Sequence, residues 1–169
     1  MDLSRCCDKF DCSCCYFDRM NLHSATVILE HTYSAPVEQV FAEFADPVAR
    51  ARWSVPINDG MVYVEADFRE TKGDVFRCGP PGDLRFRGVT TYHVIIPNEC
   101  VISTEALTEE GKRCAVALNT LEFQPVSEGT ALKVTLQIVS FVGPQMVEGY
   151  ESGNRGALKG LEKHLAEIG

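Results

Sequence analysis

The sequence predicts an α+β fold in which a curved antiparallel sheet of about seven strands wraps on a long C-terminal helix. Three observations support this prediction. A period-two alternation opens the regular part of the chain, strand-like segments separated by turn residues fill its middle, and a helical period governs its end. Because short connections join the middle strands, we expect them to be antiparallel. The last helix is the only element able to cover the apolar face of such a sheet.

The first predicted elements are a strand and two short helices. The strand occupies 25–33, where apolar and polar residues alternate. Pro36 is well placed as the first residue of a helix whose apolar positions recur along one face. Asp46, followed by proline, repeats the start signal for a short helix that ends near Trp53. The lone tryptophan thus lies at the end of the second of two short helices that follow the first strand.

The middle of the chain is predicted to consist of strands, interrupted by turn chemistry such as Pro-Pro-Gly-Asp and Glu-Gly. The expected strands are Met61–Glu70, Asp74–Cys78, Leu84–Ile96, Cys100–Thr108, Arg113–Gln124 and Thr130–Phe141. From about Pro144 onward, apolar residues recur at three- and four-residue steps, which predicts one long amphipathic helix. A ligand could bind in the space between this helix and the sheet.

Glycines interrupt the predicted C-terminal helix at Gly149, Gly153, Gly156 and Gly160. Each costs roughly 1 kcal/mol relative to alanine in a helix interior, so four of them need a reason. One explanation is that the absent side chains leave room for a ligand. The other is close packing of the helix against its neighbours, which is the commoner reason for a helical glycine.

Composition limits the classes of protein to which the chain can belong. Its 169 residues, 45% hydrophobic and 24% charged, fit one globular domain. The net charge of −8 argues against binding to a nucleic-acid backbone. The apolar runs are too short for a membrane span, and no leader pattern opens the chain. The eight cysteines are not spread as in a secreted disulfide framework, so we expect a cytoplasmic protein.

Residues 1–23 are predicted to form an irregular, cysteine-rich extension, and residues 24–169 the folded domain. Five cysteines crowd the extension, at Cys6, Cys7, Cys12, Cys14 and Cys15. They would suit soft-metal binding or palmitoylation, but the spacing lacks the two separated pairs of a structural zinc site. A tail without metal, or a biological start at Met20, is the simpler explanation. We therefore predict no metal site and no cofactor.

Several short motifs together carry a family resemblance. They are Ser-Ala-Pro-x-x-x-Val-Phe at 34–41, Asp-Pro at 46–47 leading to Trp53, Phe-Arg-Gly-Val at 86–89, Gly-Thr at 129–130 and Gly-Ala-Leu-x-x-Leu at 156–161. In this order and spacing they resemble the START-related helix-grip superfamily, also called SRPBCC or Bet v-like. Within it, the chain is most similar to the group named after the C-terminal domain of the activator of the heat-shock protein 90 ATPase. The resemblance spans about residues 25–168.

The resemblance implies a β-α-α-β6-α helix-grip fold with a hydrophobic cavity between the curved sheet and the C-terminal helix. It also implies that Trp53 lies at the cavity entrance. The co-chaperone of this group engages its chaperone through a separate N-terminal domain, for which this chain has no length. Stand-alone members resemble small ligand-binding proteins, so the resemblance favours ligand binding over co-chaperone work.

We predict that nine residues line the ligand cavity: His31, Tyr33, Trp53, Phe86, Tyr92, Phe123, Phe141, Met146 and Tyr150. Aromatic residues of this kind fill cores more often than they touch ligands. The simpler alternative for Trp53 is a corner residue whose indole N–H is bonded to the backbone, and for His31 it is a hydrogen-bonded structural residue. Arg69, Arg85 and Arg87 could bind a carboxylate, although solvent exposure is the simpler expectation for the last two.

Three functional hypotheses follow. The leading one is non-catalytic binding of a small hydrophobic or amphipathic molecule. The second is a chaperone-interaction module, with a chaperone or a second copy of the chain as partner. The third is a cyclase-like or hydrolase-like enzyme, for which His31, Asp67 and Glu105 would have to converge. No catalytic motif occurs in the sequence, so no catalytic residue is predicted and the chain is not expected to be an enzyme.

Overall fold

A computed structural model describes residues 22–54 and 60–169. The cysteine cluster of the predicted extension and Met20 lie outside the described residues, and the domain boundary near residue 23 stays a prediction. The described strands are β1 (His23–Tyr33), β2 (Gly60–Ala66), β3 (Gly73–Gly79), β4 (Phe86–Ile96), β5 (Cys100–Glu109), β6 (Lys112–Val126) and β7 (Gly129–Ser140). They form one antiparallel sheet in the order β1-β7-β6-β5-β4-β3-β2.

Three helices accompany the sheet: α1 (Val37–Ala45), α2 (Pro47–Trp53) and α3 (Gln145–Ile168). Asp46 caps α2 as predicted, because its Oδ1 accepts a hydrogen bond from Val48 N–H at 2.8 Å. None of the helices within 22–54 and 60–169 has the length and apolar character needed to cross a membrane. The predicted α+β helix-grip fold is therefore confirmed in class, in element order and in the long C-terminal helix.

The second strand is shorter than predicted. It ends at Ala66 instead of Glu70, and the chain then turns through 67–72. Thr71 adopts a positive φ of 66°, and its N–H donates to the carbonyl of Tyr92 on β4 rather than to β3, the strand that pairs with β2. A residue in the left-handed region cannot continue a strand. The alternation of the sequence did not show this turn, because Phe68 still carries an apolar side chain toward the interior.

The core lies between the concave face of the sheet and the helices. Along β7 the inward residues are buried almost without interruption, from Thr130 to Ser140. The second half of α3 packs on this side through Leu158, Leu161 and Leu165. His164 also joins α3 to α1, with its Nε2 2.9 Å from Glu43 Oε2. The C-terminal half of α3 is thus fixed tightly against its neighbours.

Candidate functional site

A cavity of about 600 Å³ lies between the sheet and the first part of α3. Its walls come from the inward faces of β2 to β7, from α2 and from the segment of α3 that ends near Leu158. Most of the lining is apolar or aromatic, with a small number of polar side chains. Both the volume and this mixture are typical of a small-molecule site.

Five of the nine predicted lining residues border the cavity: Trp53, Phe86, Tyr92, Met146 and Tyr150. They reach it because α2, β4 and the start of α3 converge at the same side of the sheet. Tyr92 is buried and its neighbour His93 is exposed, as strand alternation requires. Contact between these residues and a ligand remains a prediction.

The two candidates on β1 do not border the cavity, which corrects their predicted place. Tyr33 is fully buried, and its hydroxyl donates to Leu158 O at 3.3 Å. The His31 ring lies 4.7 Å from the Tyr33 ring at a tilt of 40°, and its Nε2 lies 3.4 Å from Glu162 Oε2. Both do share the inward face of β1, but that strand meets the tightly packed half of α3.

Phe123 and Phe141 also lie away from the cavity. The Phe123 ring packs edge-on against Phe41 and Phe44, each at 5.4 Å, so it belongs to the core beneath α1. Phe141 follows the end of β7, where the Arg113 guanidinium lies 5.6 Å from its ring. Their placement in the cavity wall was therefore wrong. The alternation of residues correctly predicts which side chains of β6 point inward. It does not predict at which residue of β6 the cavity ends.

Trp53 has the contacts of a structural corner residue and also borders the cavity. It is 4% exposed, and its ring packs edge-on against Phe44 at 4.7 Å. The indole N–H donates to Glu43 O at 3.3 Å, which is the backbone bond expected for a structural tryptophan. A role at the cavity entrance stays a prediction.

A buried ion pair forms one polar part of the cavity wall. Arg50 on α2 and Asp74 on β3 are 7% and 3% exposed, and Arg50 Nη2 lies 2.7 Å from Asp74 Oδ2. Arg50 Nη1 donates to the Tyr92 hydroxyl at 2.6 Å, and that hydroxyl donates in turn to Asp74 Oδ2. Asp74 Oδ1 accepts from the backbone N–H of Asp67 at 3.1 Å. The carboxylate is therefore bonded on both oxygens.

The surroundings keep Arg50 charged. Burial alone would lower its pKa, but Tyr63, Tyr92 and Asp74 together raise the pKa above its ordinary value. The guanidinium also lies over the Tyr63 ring at 4.8 Å, a cation–π contact. For Tyr92, by contrast, burial raises the pKa, so the hydroxyl keeps its proton and can donate a hydrogen bond. The cluster carries no net charge, because the guanidinium balances the Asp74 carboxylate.

Glu105 and Tyr150 form the second polar part of the wall. Glu105 projects from β5 into the cavity, and Tyr150 reaches it from α3. The Tyr150 hydroxyl donates to Glu105 Oε1 at 2.8 Å. Burial raises the pKa of Glu105, although the bond from Tyr150 acts in the opposite direction. Unlike Asp74, Glu105 forms no ion pair within residues 22–54 and 60–169.

Gly160 differs from Gly149 and Gly153 in its surroundings. A Cβ atom at Gly160 would lie 2.2 Å from Trp53 O, so this glycine permits the close approach of α3 to α2. A Cβ at Gly149 or Gly153 would meet no atom within 4 Å, and both residues border the cavity. Close packing therefore explains Gly160, whereas open space surrounds the other two positions.

Sequence reasoning missed Arg50 and Asp74 as site residues, although a signal was present for each. Arg50 lies one helical turn before Trp53, on the same face of α2. Asp74 alternates with Phe76, so it had to point inward. The three arginines that were considered instead, Arg69, Arg85 and Arg87, are exposed and do not border the cavity.

The three residues named for an enzyme do not converge. Glu105 borders the cavity, His31 lies beside Glu162, and Asp67 forms a two-point contact with Arg69 at the surface. Within the described ranges, no group of three or more His, Cys, Asp or Glu residues is placed to hold a metal ion. The chemistry that the arrangement offers is apolar burial with a small number of hydrogen-bonding and charged groups.

Solved structures share this architecture. The Mll3558 protein from Rhizobium loti is 27% identical, with a TM-score of 0.73 over 85% of this chain and 98% of that one. Protein CV1439 from Chromobacterium violaceum is 24% identical, with a TM-score of 0.73 over 82% and 94%. Protein NE0264 from Nitrosomonas europaea is 20% identical, with a TM-score of 0.71 over 85% and 95%. The last two comparisons bear on the fold alone.

Among curated proteins, none matches the chain. A family model does match it, over residues 34–167, which includes both short helices, β2 to β7 and nearly all of α3. That model describes the Activator of Hsp90 ATPase homolog 1-like proteins. Since the match covers most of the sequence, the chain belongs to the Activator of Hsp90 ATPase homolog 1-like family.

Proposed function

We propose that the protein binds a small hydrophobic or amphipathic molecule, without catalysis, in the cavity between its sheet and α3. The observation that carries the proposal is the cavity of about 600 Å³ with mostly apolar walls and two separate polar groups. A site of this kind gains affinity from buried apolar surface, roughly 25 cal/mol for each Å² removed from water. The polar groups then set the orientation of the ligand.

The Arg50 cluster and Glu105 are expected to contribute differently to binding. The two Nη atoms of Arg50 are already engaged by Asp74 and Tyr92, so the cluster stabilises the wall and offers a ligand no net charge. The buried Nε of Arg50 has no hydrogen-bond partner among the described residues. Glu105 has a hydrogen bond from Tyr150 but no counter-charge within the described residues. The polar end of a ligand is therefore expected to lie next to Glu105.

A thermal-shift screen tests the proposal. The full chain is heated with a panel of fatty acids, fatty alcohols, amines and polycyclic aromatics. At a concentration of about 100 times Kd, a bound ligand adds roughly 2.7 kcal/mol to the free energy of unfolding. For a domain of this size we expect an increase in Tm of about 5 °C or more. A panel that shifts Tm for no compound contradicts the proposal.

A pair of leucine substitutions locates the binding. Gly153→Leu places a side chain where the cavity wall is open, so it should abolish the Tm increase while the fold is kept. Ser152→Leu adds the same side chain to the exposed face of α3 and should leave the increase intact. Equal ligand responses in the two variants would place binding outside the cavity.

The family name favours a second candidate, a module that acts on a chaperone by protein contact. An exposed apolar surface is available on the edge strand β2, where Val62 and Val64 are 53% and 58% exposed. Purified full chain is expected to bind purified heat-shock protein 90 and to stimulate its ATPase if this candidate is correct. If calorimetry at micromolar concentrations detects no binding between the two proteins, this candidate function is ruled out.

We also propose a cytoplasmic location. The described residues Cys100 and Cys114 are outside any disulfide, which is the usual state of cysteines in a reducing compartment. Fractionation of the native source, followed by detection with an antibody against the chain, tests this location. Recovery in a secreted fraction would contradict it.

A further inference from the structure

Glu105 is the acidic group of the cavity that has no counter-charge. Arg50 is the one cationic side chain among the described cavity residues. It is already paired with Asp74, with 2.7 Å between Arg50 Nη2 and Asp74 Oδ2. The only hydrogen bond that the described residues give Glu105 is the one from the Tyr150 hydroxyl to Oε1. The second carboxyl oxygen therefore has no donor among residues 22–54 and 60–169.

A neighbouring side chain adds another acceptor without a donor. Asn119 on β6 borders the cavity, and its Oδ1 is buried with no hydrogen-bond partner. Asn119 pairs in register with Ser103, which lies two residues before Glu105 on the same face of β5. Side chains at such diagonal positions of adjacent strands are within reach of one molecule. This part of the wall thus contains two acceptor oxygens, one on Glu105 and one on Asn119, that receive no hydrogen bond from the described residues.

The charge of the wall is also unbalanced. Arg50 and Asp74 cancel, so an ionised Glu105 leaves the cavity with one negative charge in apolar surroundings. Burial raises the pKa of Glu105, because removal from water disfavours its charged form. A bound cation would supply both the missing charge and the missing donors, since an ammonium group carries three N–H donors and no acceptor.

We propose that the ligand of this cavity is an amphipathic amine whose ammonium group pairs with Glu105. The inference rests on the proposed ligand-binding function and specifies the class of ligand. The apolar part of the amine fills the space beside Met146, Phe86 and Leu121, and its head group lies between β5 and the start of α3. A carboxylate ligand of the same length is disfavoured, because it would place two like charges together.

Three ligands of equal chain length test the inference: decylamine, decanol and decanoate. Each is titrated into the full chain by calorimetry below its micelle concentration, near neutral pH. We expect decylamine to bind at least about tenfold more tightly than decanol, and decanoate to bind most weakly. Equal affinities for amine and alcohol, or a preference for decanoate, overturn the amine inference and leave ligand binding in place. If none of the three binds, the amine inference fails, and the wider thermal-shift panel then decides whether ligand binding fails as well.

Surface attraction must be separated from pairing in the cavity, because the protein carries a net charge of −8. Glu105→Gln keeps the shape of the side chain and should bring the amine and alcohol affinities within about threefold of each other. Glu167→Gln removes one exposed charge near the end of α3 and should keep the full preference. A preference that Glu167→Gln weakens as much as Glu105→Gln would contradict the proposal.

Added salt gives a test that needs no variant. Exposed charges are largely screened in about 0.5 M NaCl, whereas a buried pair is screened much less. The preference of the unmodified protein for decylamine over decanol should therefore persist in salt. Its disappearance would assign the preference to the protein surface and overturn the inference, even if Glu105→Gln failed to fold.

Discussion

At the scale of single residues, two carboxylates of the cavity wall, the buried Asp74 and the half-buried Glu105, have opposite surroundings. Asp74 is bonded by Arg50, Tyr92 and the backbone, whereas Glu105 has one neutral donor, Tyr150. A buried charge that loses its partner is strongly destabilising, and a buried charge that lacks a partner is neutralised by protonation. Asp74 therefore belongs to the framework of the cavity, and Glu105 is the group that can respond to a ligand.

The Arg50–Asp74 pair should be strongly coupled. We expect Arg50→Met or Asp74→Asn alone to lower the free energy of unfolding by about 3–5 kcal/mol, since each leaves one buried charge unpaired. The double variant should lose clearly less than the sum of the two single changes. Urea denaturation of all four proteins measures the coupling.

Arg85→Met provides the control for that cycle. Arg85 pairs with Asp83 at 2.7 Å, but both side chains are about half exposed. Exposed ion pairs contribute at most about 1 kcal/mol, so this substitution should change stability very little. If Arg50→Met were no more destabilising than Arg85→Met, the framework role of the buried pair would be refuted.

The raised pKa of Glu105 makes stability depend on pH. In the unfolded chain its pKa is about 4.3, and the native protein binds the proton more tightly. Its stabilising contribution is therefore complete below about pH 4.3 and is lost as pH rises through the native pKa. Tyr63 and Tyr150, which also interact with Glu105, keep their protons in this range because burial raises their pKa values.

Chemical denaturation from about pH 4 to pH 7 measures this effect of Glu105. The difference in stability between Glu105→Gln and the unmodified protein should move in favour of the glutamine variant as pH rises. Glu167→Gln, which changes an exposed carboxylate, should show no such trend. A pH-independent difference for Glu105→Gln would contradict the assignment.

At the scale of elements, α3 combines two functions along its length. Its first part borders the cavity and contains Gly149 and Gly153, and its second part packs on β1, β7 and α2. The loss of helix stability caused by each glycine therefore has a different structural reason. Gly160 is required for contact between two helices, whereas the open positions weaken the helix and leave the cavity wide.

Alanine substitutions separate these two roles. Gly149→Ala and Gly153→Ala should each raise the free energy of unfolding by about 0.5–1 kcal/mol, because the methyl group meets no atom and the helix propensity improves. Gly160→Ala should lower it by about 1–3 kcal/mol, since the methyl group would overlap Trp53 O. Thermal denaturation measures all three, and stabilisation by Gly160→Ala would refute the packing role.

At the scale of the whole molecule, the described sheet is complete from its first strand to its last. β1 pairs with β7 along its full length, from His23 opposite Ser140 to Tyr33 opposite Thr130. These pairs hold the first strand next to the last, and α3 then crosses the inner face of the resulting sheet. We therefore propose that the folded unit begins near residue 23, where β1 starts.

A chain that begins at Met20 tests this domain boundary. We expect it to fold with a Tm within about 3 °C of the full chain, because every strand pair and the cavity are kept. It should also retain the Tm increase with any ligand that stabilises the full chain. A much lower Tm, or a lost ligand response, would show that residues 1–19 belong to the functional unit.

The sequence by itself determined the order of the elements, their periods and the faces that turn inward. The caps and turns are local, so Asp46 and the alternation of β7 could be read without a structure. For the same reason, Tyr92, Phe86 and Tyr150 could be placed on inward faces, and all three border the cavity.

Only the tertiary structure decided which inward residues meet one another. His31 and Phe123 occupy inward faces like the cavity residues, but α3 and α1 cover them closely. Arg50 and Asp74 are 24 residues apart in sequence and pair only after α2 packs beside β3. The distance between α3 and each part of the sheet determines where space remains, and that distance results from the packing of all elements together. The cavity, the neutral Arg50 cluster and the unpaired Glu105 are therefore properties of the folded molecule.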